Sequence, residues 1–165
     1  MLQVNDYIVF GSTGVCRIAD IVRESFGGKP ERDYYVLQPL LVNNETIYIP
    51  ADHQNASIRS LLTREEILAL IRSIPEIDSG WIEDDMLRKN TFNEIIHSGD
   101  QVRIVQLIKM IHHREIEQTN RGKKLAASDA DTMKAAEKLL YNEFALVLGI
   151  QAEQVLPFIL GEIEG

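Results

Sequence analysis

The residues that could do chemistry in this chain are few, and their spacing does not suit catalysis. Residues 112–117 come closest to a metal site, because they hold two histidines and two glutamates. The two histidines are adjacent, so on a helix they point about 100° apart and cannot share one ion. Residues 11–14 lack the lysine and the following helix of a phosphate-binding loop. Ser98 has only its neighbour His97 as a base. We therefore expect no catalytic residue, metal, cofactor or small-molecule substrate.

One tryptophan and two groups of basic residues are better suited to binding. Trp81 is the only tryptophan, and it follows Gly80 at the predicted head of a helix. Such a ring is either buried between elements or exposed as a wedge or stacking platform for a partner. We expect exposure, because side chains in the first turn of a helix often reach away from the core. The basic groups are Arg88 with Lys89 and, further on, Arg114, Arg121, Lys123 and Lys124.

Charge is unevenly distributed along the chain. The net charge of -8 opposes bulk attraction to nucleic acid. Residues 61–100 hold four Lys/Arg against nine Asp/Glu, whereas residues 101–141 hold eight against five. Screening limits the reach of distant charges to about 8 to 10 Å, so a local basic face can still bind phosphate. From charge alone, an ordinary solvated helix surface explains the pattern equally well.

The first 60 residues show strand patterns separated by turns. In the second predicted strand, Val15 and Arg17 alternate with Cys16 and Ile18, which indicates one buried face. The predicted strands are the apolar run ending at Phe10, the run from Val15, and residues 34–37, 46–49 and about 57–59, with turns at residues 11–14, 27–30 and 43–44. Five short strands with such frequent turns indicate a small curled sheet or barrel.

From Thr63 onward the apolar period becomes helical. Residues 63–66 form a capping box, and Pro75 ends that helix. Ser79 is expected to cap a second helix, Asp100 a third, and residues 128–131 to open a fourth that ends at Gly149. A short last helix is predicted at residues 154–163. The expected core positions include Ile82, Met86, Phe92, Val102, Leu107, Leu140 and Phe144.

Cysteine content and hydropathy indicate a cytoplasmic protein. No apolar run approaches the roughly 18 to 20 residues that span a bilayer, and the N-terminus lacks the pattern of a secretory signal. The single cysteine, Cys16, can form no internal disulfide and is expected to be a buried apolar thiol. We therefore expect no membrane association.

Four segments in this order resemble the CarD family of bacterial transcription regulators, which shares its N-terminal module with transcription-repair coupling factor. The first is Val4-x-Asp6-x-Ile8-Val9-Phe10-x-x-x-Gly14-x-x-x-Ile18. The second is Tyr35-Val36-Leu37 followed by Ile47-x-Ile49-Pro50 and Ile58-Arg59. The third is Ser98-Gly99-Asp100 before a helix that ends in Arg114, and the fourth is Lys134-x-Ala136-x-x-Leu139-Leu140-x-x-Glu143-Phe144-Ala145. The resemblance covers nearly the whole chain.

The resemblance implies an α+β protein of two domains. Residues 1–60 would be a Tudor-like five-stranded β-barrel that docks on the β subunit of RNA polymerase. Residues 61–165 would be an all-α domain of about four to five helices that contacts promoter DNA at the upstream edge of the melted bubble. Such a regulator modulates open-complex stability, and its expected place is the cytoplasm, at the nucleoid.

In the family, a tryptophan wedges into the minor groove and basic residues around it contact phosphates. Counted without gaps from Ser98, that position falls here on Asp85, and Trp81 lies one predicted helical turn earlier. Acidic residues 83–85 replace neighbours that are usually neutral or basic. The DNA-binding candidates are Trp81, Arg88, Lys89, Arg114, Lys123 and Lys124, and their contact would be weak and independent of base sequence.

Two arginines that some family members use on polymerase are replaced here by Glu24 and Tyr48. We therefore expect docking through the backbone of an exposed sheet edge. The polymerase-binding candidates are Glu24, Thr46, Ile47, Tyr48 and Ile49. The alternative is a protein-only adaptor of the same fold, whose acidic helical domain binds another protein and not DNA.

Overall fold

The computed structural model describes residues 2–42, 44–52, 58–78 and 80–164. The chain forms two compact units, Met1–Leu61 and Leu62–Gly165. The first unit contains five strands and the second contains five helices, so the predicted α+β class is confirmed. Parts of three predictions, the turn at Asn43, the fifth strand at Ser57 and the helix cap at Ser79, lie outside the described residues.

The first unit is one antiparallel sheet. Its strands are β1 (Tyr7–Phe10), β2 (Gly14–Glu24), β3 (Arg32–Pro39), β4 (Ile47–Pro50) and β5 (Ile58–Ser60). They are hydrogen-bonded in the order β4-β3-β2-β1-β5, which places β4 at one edge and β5 at the other. A short 3-10 turn, Gly11–Thr13, joins β1 to β2, and its flanking glycine Gly14 has a φ of 84°.

The inner face of this sheet holds one hydrophobic cluster. Its buried members are Ile8, Cys16, Ile18, Tyr35, Leu37 and Ile49, and Phe10 and Ile58 pack against them. All five strands contribute to this cluster, as a sheet folded around a single core requires. Cys16 is fully buried, as predicted, and burial is the main cause that raises the pKa of its thiol to about 11. Val15, on the other side of the strand from Cys16, is also buried.

A β-bulge in β2 changes which side chains reach the outer face. Ile18 pairs with Leu37 and Asp20 pairs with Val36, so Ala19 has no partner on β3. Because side chains alternate along a strand, the extra residue reverses the facing of everything after it. Before the bulge Ile18 points inward, and beyond it Asp20, Val22 and Glu24 share the outer face with Tyr34 and Val36 of β3.

The second unit contains α1 (Arg64–Ser73), α2 (Asp85–Ser98), α3 (Gln101–Asn120), α4 (Ala127–Leu148) and α5 (Ala152–Glu164). The capping box at Thr63 is present, because the Glu66 amide donates to the Thr63 hydroxyl and the Thr63 amide donates to the Glu66 carboxylate. Asp100 caps α3 by accepting from the Val102 amide at 2.9 Å. Gly149 ends α4 in the left-handed conformation. These three local predictions are confirmed.

The start of α2 differs from its prediction. The Asp84 carboxylate accepts a hydrogen bond from the Leu87 amide at 2.8 Å, so the helix begins at Asp85. Trp81 therefore precedes the helix and does not occupy its first turn. Two expected core positions are also wrong, since Met86 is 74% exposed and Val102 is 56% exposed.

Two polar side chains, Glu143 and Lys109, help to hold the helical unit together. Glu143 is fully buried in α4, and its carboxylate accepts from the Leu62 amide at 2.8 Å and from the Gln101 side chain at 2.7 Å. The Lys109 ammonium donates to the carbonyls of Ile74 and Ile77, at 2.7 and 2.8 Å, just after α1. Glu143 thus satisfies a backbone amide ahead of α1, and Lys109 supplies donors to carbonyls that follow α1.

No single helix within the described residues is long and apolar enough to cross a membrane. Helices α4 and α5 meet that requirement of length and composition only as a pair, with a bend of 84° between them.

Candidate functional site

The predicted polymerase-binding strand lies at the edge of the sheet. β4 pairs with β3 on one side, and no strand among the described residues pairs with it on the other. Tyr48 is 50% exposed, Ile47 is half-buried, and Thr46 lies exposed just before the strand. Ile49 is buried in the sheet core, so it can meet a partner only through its backbone, which is the kind of contact predicted for this strand.

Glu24 and Tyr48 lie on the same face of the sheet although they are not on neighbouring strands. Glu24 pairs with Arg32 across β2 and β3, and Tyr48 pairs with Val36 across β4 and β3. The bulge at Ala19 brings Glu24 to this outer face. The structure therefore brings these two predicted residues onto one surface, with β3 between their strands.

An aromatic cluster covers this outer face. The Phe26 ring packs edge-on against Tyr34, with centroids 4.9 Å apart, and against Tyr48, at 5.6 Å. The Arg32 guanidinium lies over the Tyr34 ring at 5.9 Å. Sequence reasoning missed Phe26, which lies in the turn after β2, outside any strand pattern. Its position directly before Gly27 and Gly28 was the available signal, since such a turn folds its flanking residues back over the strands.

In the helical unit, Trp81 lies between two guanidinium groups. Arg88 of α2 lies 4.9 Å from the ring centroid, and Arg114 of α3 lies 5.1 Å from it. Phe92 packs edge-on against the same ring at 6.1 Å. Trp81 is thus half-buried, which corrects the expectation of a largely exposed ring. Cation–π attraction to two arginines explains why the ring stays against the helices.

Arg88 is buried, which corrects its predicted place on an exposed basic face. Its guanidinium donates to Asp129 of α4 at 3.3 Å, to Asp85 at 2.8 Å and to the Ile82 carbonyl at 3.1 Å. Burial disfavours its charge, but the hydrogen bonds and negative charges of Asp85 and Asp129 outweigh burial and raise the pKa of Arg88 above its usual value. Arg88 stays charged, and its donors already have acceptors, so it fixes α2 to α4.

Of the other basic candidates, Arg114 contacts Trp81 and the three lysines are exposed. Arg114 faces the Trp81 ring and pairs weakly with Glu117 at 3.6 Å. Lys123 and Lys124 are exposed in the α3–α4 loop and line a groove of about 450 Å³ with Glu115 and Ile116. Lys89 is exposed on α2. Of the five residues predicted to form one basic face, three are exposed cations: Lys89, Lys123 and Lys124.

The arrangement suits binding to a macromolecule. Among the described side chains, no group of three His, Cys, Asp or Glu residues could hold a metal ion. A polar cavity of about 200 Å³ lies beside Trp81, lined by Arg88, Asp129, Glu83 and Gln118 among others. Its charged groups are largely paired with one another, as the Arg88 contacts show. The outer face of the sheet and the α3–α4 loop remain the surfaces open to a partner.

Two family models match the chain. The model described as the CarD-like/TRCF RID domain matches residues 2–62, and the model described as the CarD C-terminal domain matches residues 82–159. Together they cover most of the sequence, in the same order as the sheet unit and the helical unit. No curated protein matches the sequence.

Proposed function

Because the chain belongs to the CarD family of RNA-polymerase-interacting transcription regulators, we propose that it docks on the polymerase β subunit through its sheet unit. We further propose that its helical unit contacts promoter DNA near the upstream edge of the melted bubble and so changes open-complex stability. The proposed activity is non-enzymatic, and its proposed location is the bacterial cytoplasm, at the nucleoid.

The observation that supports polymerase docking is the free edge of β4. Backbone hydrogen bonds along an edge strand are a recurring way to bind an extended segment of a partner. They need no particular side chain, so they tolerate glutamate at position 24 and tyrosine at position 48. The match of residues 2–62 to the CarD-like/TRCF RID domain supports placing the polymerase contact in this unit.

A proline on each edge strand tests this contact. Tyr48→Pro removes an outward-facing backbone donor from β4, and Ser60→Pro makes the matching change on β5, at the opposite edge. Both full-length variants are titrated into RNA polymerase holoenzyme without DNA, after a thermal melt has confirmed that each is folded. We expect Tyr48→Pro alone to weaken binding by tenfold or more. Equal binding by a folded Tyr48→Pro variant removes β4 from the site.

The exposed lysines of the α3–α4 loop support the DNA contact. Lys123 and Lys124 are exposed and line a groove at the surface. Lysines there would hold phosphates and position the protein without reading bases. We expect the double variant Lys123→Glu with Lys124→Glu to lower promoter affinity equally on different promoter sequences. It should also make the plot of log affinity against log salt concentration less steep, by roughly 0.9 for each of the two lost phosphate contacts.

The protein-only adaptor is supported by a different observation. The Arg88 guanidinium already donates hydrogen bonds to two carboxylates. Three exposed acidic side chains close to Trp81 in sequence would repel phosphate: Glu83, Asp84 and Asp85. If promoter affinity of the double lysine variant equals that of the natural chain at every salt concentration, the adaptor function is the better account of the helical unit.

A further inference from the structure

The outer face of the sheet presents two exposed aromatic rings on a buried third. Phe26 is 43% exposed and Tyr48 is 50% exposed, whereas Tyr34 between them is only 8% exposed. Phe26 contacts both tyrosines, so the three rings form one continuous patch over β3 and β4. Rigid aromatic side chains on a supported surface are the usual anchors of protein interfaces.

The position of Phe26 is fixed by the turn that follows it. Gly27 and Gly28 have φ values of 61° and 74°, and the Lys29 amide donates to the Phe26 carbonyl at 3.1 Å. Two successive positive φ angles are typical of the tight type I′ hairpin turn, which favours glycine at both places. Phe26 is therefore held over Tyr34 before any partner arrives, and little further entropy is lost when it is buried.

The arginines nearest the patch are already paired within the chain. Arg23 lies 3.2 Å from Asp33 and 3.5 Å from Glu31, and Arg32 pairs with Asp52 while covering Tyr34. Glu24 adds a negative charge on the same face. An acidic partner surface would therefore have to displace these carboxylates from Arg23 and Arg32, whereas an apolar one would meet two supported rings.

We propose that Phe26 and Tyr48 are the anchors of the polymerase contact, and that they enter an apolar pocket lined by aliphatic or methionine side chains on the polymerase surface. This inference rests on the proposed function and specifies its chemistry. The polymerase surface would be recognised by burying aromatic rings, and not by forming ion pairs. Phe26 is thus a specificity-determining residue of the docking surface, outside the strand that supplies the backbone contact.

The test measures the affinity of full-length variants for DNA-free RNA polymerase holoenzyme at low and high salt. Phe26→Ala and Tyr48→Ala remove one anchor each, and Phe26→Leu keeps apolar bulk. Tyr7→Ala is the matched control, because Tyr7 is 39% exposed but lies on β1, on the far side of β2 from the patch. We expect each anchor variant to lose tenfold or more in affinity, Phe26→Leu and Tyr7→Ala to lose less than about threefold, and salt to change the natural chain's affinity little.

The outcomes separate the inference from the function on which it rests. If the natural chain binds polymerase while Tyr48→Ala and a folded Phe26→Ala bind equally well, the aromatic anchor is refuted and polymerase docking stands. If affinity falls steeply with salt and Glu24→Gln changes it more than Phe26→Ala does, recognition is ionic and the proposal is also refuted. If the natural chain does not bind polymerase, the proposed function itself fails, and the anchor fails with it.

Discussion

Removing the Asp129 carboxylate should destabilise the helical unit far more than removing Asp85. Both carboxylates accept from Arg88, but the Asp129 side chain is 5% exposed and the Asp85 side chain is 81% exposed. At 3.3 Å and an effective dielectric constant of about 20, the attraction between Arg88 and Asp129 is about 5 kcal/mol before desolvation is subtracted. Loss of one partner from a buried pair typically costs about 3 to 5 kcal/mol, because the other charge stays buried.

Asp85 and the Ile82 carbonyl remain available to Arg88, so we expect Asp129→Ala to cost about 3 kcal/mol. The exposed pair with Asp85 is screened by water, and Asp85→Ala should cost less than about 1 kcal/mol. Replacing both buried charges, as Arg88→Met with Asp129→Leu, should recover much of the loss, because apolar packing often substitutes for a buried ion pair.

The assay is urea unfolding of the full chain, monitored by tryptophan fluorescence. Trp81 is the only tryptophan, so the signal reports the helical unit alone. A double-variant cycle on Arg88 and Asp129 isolates their coupling. A loss below about 1 kcal/mol for Asp129→Ala, or a larger loss for Asp85→Ala, would refute the argument that burial makes this pair important.

Three further variants test other parts of the structure. Trp81→Ala should lower the free energy of unfolding by about 2 kcal/mol, less than the loss of about 3 to 5 kcal/mol expected for a fully buried ring. Circular dichroism in urea measures this loss. Unchanged stability with a shorter open-complex lifetime would instead indicate a DNA wedge. Glu143→Ala leaves the Leu62 amide and the Gln101 side chain without this acceptor, so about 3 kcal/mol should be lost on the same assay. The Cys16 thiol has a pKa of about 11 in the folded chain against 9.0 in the unfolded chain, so its contribution to stability is full below pH 9 and falls as pH rises toward 11. Alkylation of the thiol should accordingly be slow in the folded protein. Cys16→Ala should make the free energy of unfolding depend less on pH over that interval.

Local signals in the sequence sufficed for much of the fold. The capping box at Thr63, the cap at Asp100 and the glycine at 149 each depend on residues within four positions of one another. Alternation in β2 predicted one buried face for the same reason, and Cys16 and Ile18 lie in the sheet core. A single bulge residue, Ala19, was enough to reverse the facing of the rest of β2, and its effect appears only in the register with β3.

The candidate site was harder to predict because its contacts are long-range. Arg88 looks like an exposed basic residue in sequence, and only its pairing with Asp129, 41 positions later, shows that it is internal. Trp81 was placed on a helix because Gly80 and its neighbours suggested a start there, whereas Asp84 supplies the actual cap. Phe26 belongs to an aromatic cluster only because β3 and β4 place Tyr34 and Tyr48 against its ring.

The central claim, that the sheet unit docks on polymerase through β4 and the outer face, is tested most directly by hydrogen–deuterium exchange of the full chain with and without RNA polymerase holoenzyme. The claim predicts slower exchange in segments covering residues 24–34 and 47–49 on complex formation, and unchanged exchange in β5. Protection confined to the helical unit, with β4 exchanging at its free rate, would contradict it.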